Sequence, residues 1–336
     1  MSGTEIVSVT PAGEIARPID VDINDTVSTT TAEMIDKAPA AATRRAYERQ
    51  WKVFVAWCAQ QGRRAEPATD ATLAEYAAAL VTAGAGAPTI EQAIAAIRTI
   101  HRRRNITPPD TRGARDVLRS HRRAQADAGH RTRKAPPVAR DQLRAMVAAC
   151  PDSPLGVRDR ALLVFGAAMM GRRSELAALD LVDVVEVEDG LLVYVRRSKT
   201  DQDAVGTEVA IPYGSYPDTC PVRAVRAWRA LLAEHGITSG PLLRAVTRQG
   251  RVSDRRMSGD GINRAVRAAA VRADLPGADR YSAHSLRSGG ATAAARAGAH
   301  RNAIVGHGRW SKNSHVVDGY IQMVDIWKDN PMVNAL

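Results

Sequence analysis

The chain has 336 residues, 47 Lys and Arg against 36 Asp and Glu, and a formal net charge of +11. Hydrophobic residues are 45% and charged residues 25%, values that exclude a wholly disordered chain and predict about two domains. The longest uncharged apolar run, Ala161–Gly171, is too short for the roughly 18 residues of a transmembrane helix. Met1–Thr10 lacks a basic stretch followed by an apolar one, so no secretory signal is expected. The three cysteines, Cys58, Cys150 and Cys220, lie far apart. They form neither a metal pair nor a disulfide framework and fit a reducing cytosol.

Charge is unevenly spread. Residues 1–36 hold seven acids and one base, leaving a net +17 on the rest, a balance that favours a polyanionic partner. These first residues show no sustained period and read as a mobile acidic tail. Helical spacing begins near Thr43 with Tyr47, Trp51, Phe54, Val55 and Cys58, and Gly62 stops it. Asp70 is placed to cap a second helix through Leu73, Tyr76 and Leu80. Gly84–Pro88 breaks the chain, and Thr89 is placed to cap a third helix carrying Ile90, Ala93, Ile97 and Ile100. A fourth runs from about 112 to 128. Residues 37–130 thus read as one helical domain.

Residues 101–134 carry eleven bases against three acids, more than a solvated helix face needs, and phosphate contact is expected. Residues 131–137 read as an extended basic linker to a second domain, 138–336. There, helices are expected at 140–149 and 158–170. Two β-rich runs follow, 182–188 and 191–197, split by the hairpin signal Asp189-Gly190. A third strand spans 206–212, beyond a polar loop at 198–205. Helices are expected at 221–235, 260–273 and 284–297, with two more near the end. The class is mainly α with a small antiparallel sheet.

Nucleotide-loop, metalloprotease and serine-hydrolase motifs are absent, and nothing calls for a metal or nucleotide cofactor. Five segments remain informative: Gly171-Arg172-Arg173-Ser174-Glu175-Leu176, Ser198-Lys199-Thr200, His284-Ser285-Leu286-Arg287, Gly308-Arg309-Trp310 and Gly319-Tyr320-Ile321. In this order they resemble the catalytic domain of the tyrosine recombinase, or phage integrase, family. The helical domain before them is similar to that family's SAM-like core-binding domain.

The resemblance implies roles. Arg172, three residues before Glu175, matches the family's first arginine, and Arg173 is then a bystander. Lys199 lies in the turn between the second and third strands. His284 and Arg287 form the HxxR pair. Trp310 falls where members carry His or Trp, although His307 competes for that role and Trp310 lies ten positions from Tyr320, one more than in many members. Tyr320 matches the nucleophile.

The chemistry agrees. Two arginine forks neutralise the charge that builds on an attacked phosphodiester. An imidazole accepts the proton of a weakly nucleophilic phenol, and Lys199 supplies a proton to the departing 5′-oxygen. Trp310 offers an indole N–H and a flat face. Glu175 is assigned to orient Arg172 or His284.

By the same resemblance the DNA side comprises Thr43, Arg44 and Tyr47, then Thr89, Gln92, His101 and Arg103. Lys134 joins from the linker. Arg251, Arg255 and Arg256 would flank a helix able to enter the major groove. The family implies a 3′-phosphotyrosyl intermediate, no cofactor, and a tetramer on two double-stranded DNA sites. It also implies a cytoplasmic, nucleoid-associated protein of bacterial, plasmid or phage origin. The alternatives are a nicking and closing enzyme of the type IB topoisomerase kind and a DNA-binding regulator with a silent catalytic site. After Tyr320, apolar residues through Trp327 predict a short helix, packed on its own domain or docked into a neighbouring subunit.

Overall fold

The computed structural model describes residues 27–38, 40–130, 135–198, 205–247 and 249–320, with Met332 and Ala335. Lys134, Lys199, residues 1–26 and the segment through Trp327 lie outside them. The chain forms two compact units, Met1–Thr132 and Arg133–Leu336.

The first unit is helical: α1 (Thr29–Lys37), α2 (Ala41–Gln60), α3 (Asp70–Thr82), α4 (Ala87–Arg103) and α5 (Arg112–Asp127). Helix α3 packs on α5, and α2 on α4. The apolar stripes meet in a core of Phe54, Cys58, Leu73, Tyr76, Ile90, Ile97 and Leu118. Phe54 and Trp57 each bring a ring within 5.0 Å of Tyr76.

Three expectations change here. Residues 29–36, expected within an irregular tail, belong to helix α1, because the Ser28 hydroxyl accepts the Thr31 N–H at 3.1 Å and caps it. Helix α3 is capped by Thr69 instead of Asp70. The Asp70 carboxylate accepts the Asp110 N–H at 2.6 Å and ties α3 to the approach to α5. Helix α4 starts at Ala87, after extended Gly86, since Pro88 fits a first turn that needs no donor.

The second unit has α6 (Arg140–Ala148), α7 (Pro154–Ala168), α8 (Arg173–Ala178), β1 (Val184–Val187), β2 (Gly190–Val195) and β3 (Thr207–Pro212). It continues through α9 (Pro221–Glu234), β4 (Arg244–Val246), β5 (Val252–Arg256), α10 (Gly259–Arg272), α11 (Ala283–Arg296) and α12 (Arg301–Gly308). Residues 315–320 are again helical. The three-stranded sheet is antiparallel in the order β1-β2-β3, with Val187 opposite Gly190 and Gly190 opposite Pro212. The turn is therefore Glu188-Asp189, and Gly190 opens β2 because a Cβ there would strike the Ile211 carbonyl.

Helix α7 is buried nearly all round, with Leu162, Leu163, Val164 and Phe165 at its centre. Its one buried acid, Asp159, pairs with buried Arg158 at 2.7 Å and with Arg272 of α10 at 2.9 Å. Trp228 of α9 is fully buried and donates its indole N–H to the Leu242 carbonyl at 2.7 Å. Helix α11 passes close to its neighbours at Gly289 and Gly290. A Cβ on Gly289 would collide with the Val138 carbonyl, and one on Gly290 with that of Ala167.

The β4–β5 pair adds two short strands that the sequence reading of that region did not include. Arg255 and Arg256 end β5 just ahead of α10, the helix they are expected to flank. Arg256 is held at home: its guanidinium donates to the Ala177 and Leu179 carbonyls at 2.8 and 3.0 Å and pairs with Asp180. Arg255 is exposed.

Candidate active site

Helix α7 ends at a tight turn. Met170 takes a left-handed conformation, φ 49°, and the chain re-enters a helix at α8 with Arg172 in its extended N-cap position. The Glu175 side chain, 1% exposed, reaches back across this first turn. Its Oε2 accepts the Arg172 backbone N–H at 3.0 Å, and its Oε1 accepts Arg172 Nη1 at 2.6 Å. Arg172 Nη2 donates to the Arg309 carbonyl at 2.8 Å. The first arginine is thus fixed on two sides. Burial works against the Glu175 charge, but Arg309 and the hydrogen bonds from both arginines outweigh it and hold the carboxyl below its ordinary value.

Near its start, helix α11 brings His284 and Arg287, three residues apart, onto one face. Arg287 is 4% exposed. It donates Nη1 to the Met170 carbonyl, while buried Nη2 has no hydrogen-bond partner among the described residues. Burial pushes its pKa down to about 9, and the nearby charge of Arg172 acts in the same direction. A buried guanidinium with an idle donor arm is suited to an incoming anion.

The Arg287 guanidinium lies over the Trp310 ring at 3.7 Å, and that ring is 6.1 Å from the ring of Tyr320. Gly308 makes room, since a Cβ there would fall inside the Trp310 ring. The Tyr320 hydroxyl is 3.0 Å from His284 Nε2. Partial burial lowers the His284 pKa, helped by Arg287, and raises that of Tyr320, opposed by Arg287. Both shifts favour a neutral imidazole that accepts a hydrogen bond from a protonated phenol. Beneath them, Met170, Ala291, Ile304, Val305 and Val317 form a small apolar cluster against which Trp310 and Tyr320 pack.

The structure brings together Arg172, Glu175, His284, Arg287, Trp310 and Tyr320. His307 is turned away: its Nε2 is 2.7 Å from the Ala168 carbonyl. Glu175 binds Arg172 and Arg309, not His284. Lys199 lies outside the described residues; just beyond the end of β2, Arg196 is anchored. Arg196 forks onto Asp183 at 2.9 and 2.6 Å and reaches Asp180 at 2.8 Å. Sequence reasoning passed over Arg309, which is 5% exposed with φ 57°.

In the first unit, Thr43, Thr89, Gln92 and Arg103 are exposed, and Arg44 and Tyr47 half-buried. Gln50 donates to Gln92 at 3.3 Å, which sets this part of α2 beside the start of α4. His101 is corrected. It is 1% exposed, its Nδ1 facing the Ile97 carbonyl at 2.8 Å and its Nε2 accepting the Ala68 N–H at 3.0 Å. Both ring nitrogens are spent on the core, so none remains for DNA. A cleft of about 530 Å³ between α4 and α5 is lined by Arg98, Arg102, Arg115, Arg119 and Arg122.

A model described as the phage integrase family matches residues 137–325, and its N-terminal SAM-like domain matches 34–103. The chain belongs to the phage integrase family, the tyrosine recombinases. An integrase/recombinase xerD homolog from Selenomonas ruminantium is 28% identical to this recombinase over 316 residues, covering 93% of this chain and 90% of its own. Recombinase cre of Escherichia phage P1 is 27% identical over 307 residues, covering 83% and 85%. XerH site-specific recombinase, solved bound to a palindromic difH substrate, shares the fold with a TM-score of 0.60 at 12% identity, covering 92% of this chain and 85% of that one. Among the described residues no helix is long and apolar enough to cross a membrane.

Proposed function

We propose that this chain is a site-specific DNA recombinase that cuts and rejoins duplex DNA through a 3′-phosphotyrosyl intermediate on Tyr320. The observation that carries the reading is the Tyr320–His284 hydrogen bond, 3.0 Å long, set beside Arg172 and Arg287, which have Glu175 as their one paired acid among the described residues. Tyr320 Oη attacks the scissile phosphorus, and His284 Nε2 takes the phenolic proton. Arg172 and Arg287 hold the nonbridging oxygens as charge builds on them. The bond from phosphorus to the 5′-oxygen breaks, and Lys199 gives that oxygen its proton. Trp310 backs the Arg287 fork. The phosphotyrosyl ester keeps the energy of the broken bond, so attack by a free 5′-hydroxyl rejoins the strand.

The partner is double-stranded DNA bearing a specific site, gripped through phosphates by Thr43, Arg44, Tyr47, Thr89, Gln92, Arg103, Lys134 and Arg255. The arginine-rimmed cleft between α4 and α5 supports backbone contact there. The working assembly is a tetramer on two sites. A bacterial or phage origin and action in the bacterial cytoplasm fit the sources of its relatives. A silent regulator would have no use for a phenol bonded to an imidazole beside an idle guanidinium arm. Incubation with a nicked suicide duplex tests the reading. The wild-type protein forms a covalent adduct and Tyr320→Phe forms none while still binding DNA; an adduct that persists in Tyr320→Phe overturns it.

A further inference from the structure

Arg309 occupies a costly position. A non-glycine residue at φ 57° is strained, and a guanidinium with a side chain 3% exposed has lost its hydration, which only good pairing repays. The pairing is specific. Nη2 meets Glu175 Oε2 at 2.8 Å and the Met169 carbonyl at 3.3 Å, and Nη1 meets the His307 carbonyl at 2.7 Å. Its own carbonyl accepts Arg172 Nη2 at 2.8 Å.

The charges explain why such a residue belongs here. Three guanidiniums, Arg172, Arg287 and Arg309, surround one carboxylate. Glu175 gives Oε1 to the Arg172 guanidinium, on the more open side, and Oε2 to the Arg309 guanidinium, on the buried side, and to the Arg172 backbone N–H. With Glu175 facing Arg172 alone, the pair would be nearly neutral, and a phosphate would feel little of the Arg172 charge. A second cation behind the carboxylate balances it, so that the Arg172 charge stays available. Arg309 is too deeply buried to touch DNA, so it acts through its neighbours.

We propose that Arg309 is a positioning residue for strand cleavage: it balances Glu175 from the buried side and holds the Arg172 fork ready, charge intact, for the scissile phosphate. The inference rests on the reading of this site as a DNA-cleaving one. A purely structural role, closing the end of α12 through the His307 carbonyl, is the competing account. The two differ in one respect. A charge-balancing residue matters when the substrate phosphate is anionic and matters little when it is neutral.

The experiment compares single-turnover cleavage of suicide duplexes carrying either a phosphate or a methylphosphonate at the scissile position. Arg309→Met is expected to slow cleavage of the phosphate about 10-fold or more, with a much smaller deficit on the uncharged methylphosphonate. Arg309→Lys, which keeps the charge, retains most of the phosphate rate. Arg309→Met combined with Glu175→Gln recovers part of what Arg309→Met loses, because the unbalanced carboxylate is gone. Melting and DNA-binding measurements establish that each variant is folded; if Arg309→Met is not, Arg309→Gln takes its place and is read in the same way. Equal slowing on both substrates, with no recovery in the double variant, overturns the proposal and leaves Arg309 structural. Absence of any adduct from the wild-type protein on either substrate instead contradicts the assigned function and leaves the role of Arg309 a separate matter.

Discussion

A phenol keeps its proton at neutral pH, and the surroundings of Tyr320 tighten that hold through partial burial. Its reactivity therefore depends on the imidazole 3.0 Å away. The His284 pKa is lowered below its ordinary 6.5, so the base form persists to more acid pH than for a free histidine. Single-turnover cleavage should stay level on acidification past 6.5 and fall only as pH drops through the lowered value. His284→Asn should cost on the order of 10²-fold and erase that acid limb; an unchanged limb in the variant would assign the titration elsewhere. A second test separates Lys199 from the arginines. Lys199→Ala should be rescued by a 5′-thio leaving group, which needs no proton, while Arg172→Ala and Arg287→Ala should not. Equal rescue of all three would make Lys199 another phosphate clamp. Arg172, His284, Arg287, Trp310 and Tyr320 were legible in the sequence because their order and spacing survive without a structure. Arg309 was not, since a buried arginine and a surface one read alike among 47 basic residues. His101 was misread for the matching reason: it lies in a basic run yet faces the core, where backbone groups of Ala68 and Ile97 engage both nitrogens.

Among the elements, the seat of Tyr320 is a cluster distinct from the main core of its unit. Val317, fully buried, joins the helical residues 315–320 to Ile304 and Val305 of α12 and Ala291 of α11. Val317→Ala removes methyl contacts worth about 2 kcal/mol from this satellite cluster. Cleavage should fall by more than the melting temperature suggests; a fall in melting with unchanged single-turnover rate would contradict this. In the first unit, α4 and α5 present Arg115 in their cleft. If it grips a phosphate, Arg115→Ala weakens binding similarly across DNA sequences and reduces the salt slope by about one; an unchanged slope removes this cleft from the contact surface. Long helices were legible because apolar residues recur at 3.6-residue spacing over several turns. The β4 and β5 strands were not: three and five residues long and rich in arginine, they carry no alternation to mark them. The α1 helix escaped notice because its cap, Ser28, sits in a polar run without an apolar stripe.

Over the whole molecule, a net +17 outside the first 36 residues makes the partner a polyanion, and the family names it as DNA. Charge alone does not fix how many copies act together. The segment after Tyr320 lies outside the described residues; the expectation from sequence is a helix with Ile321, Val324 and Trp327 on one face, and we propose that it docks into a neighbouring subunit. Truncation after Gln322 should leave single-site binding nearly unchanged and remove cooperative pairing on two-site DNA in a gel-shift titration. Unfolding on truncation, or cooperativity left whole, would mean that the segment packs on its own subunit or is idle.

The central claim is that Tyr320, one of seven tyrosines, carries the severed strand. Proteolysis of the covalent adduct, nuclease trimming and mass mapping of the nucleotide-bearing peptide test it directly. The account predicts a nucleotide joined through its 3′-phosphate to Tyr320 and a free 5′-hydroxyl on the other fragment. A linkage to any other residue, or through a 5′-phosphate, would contradict it.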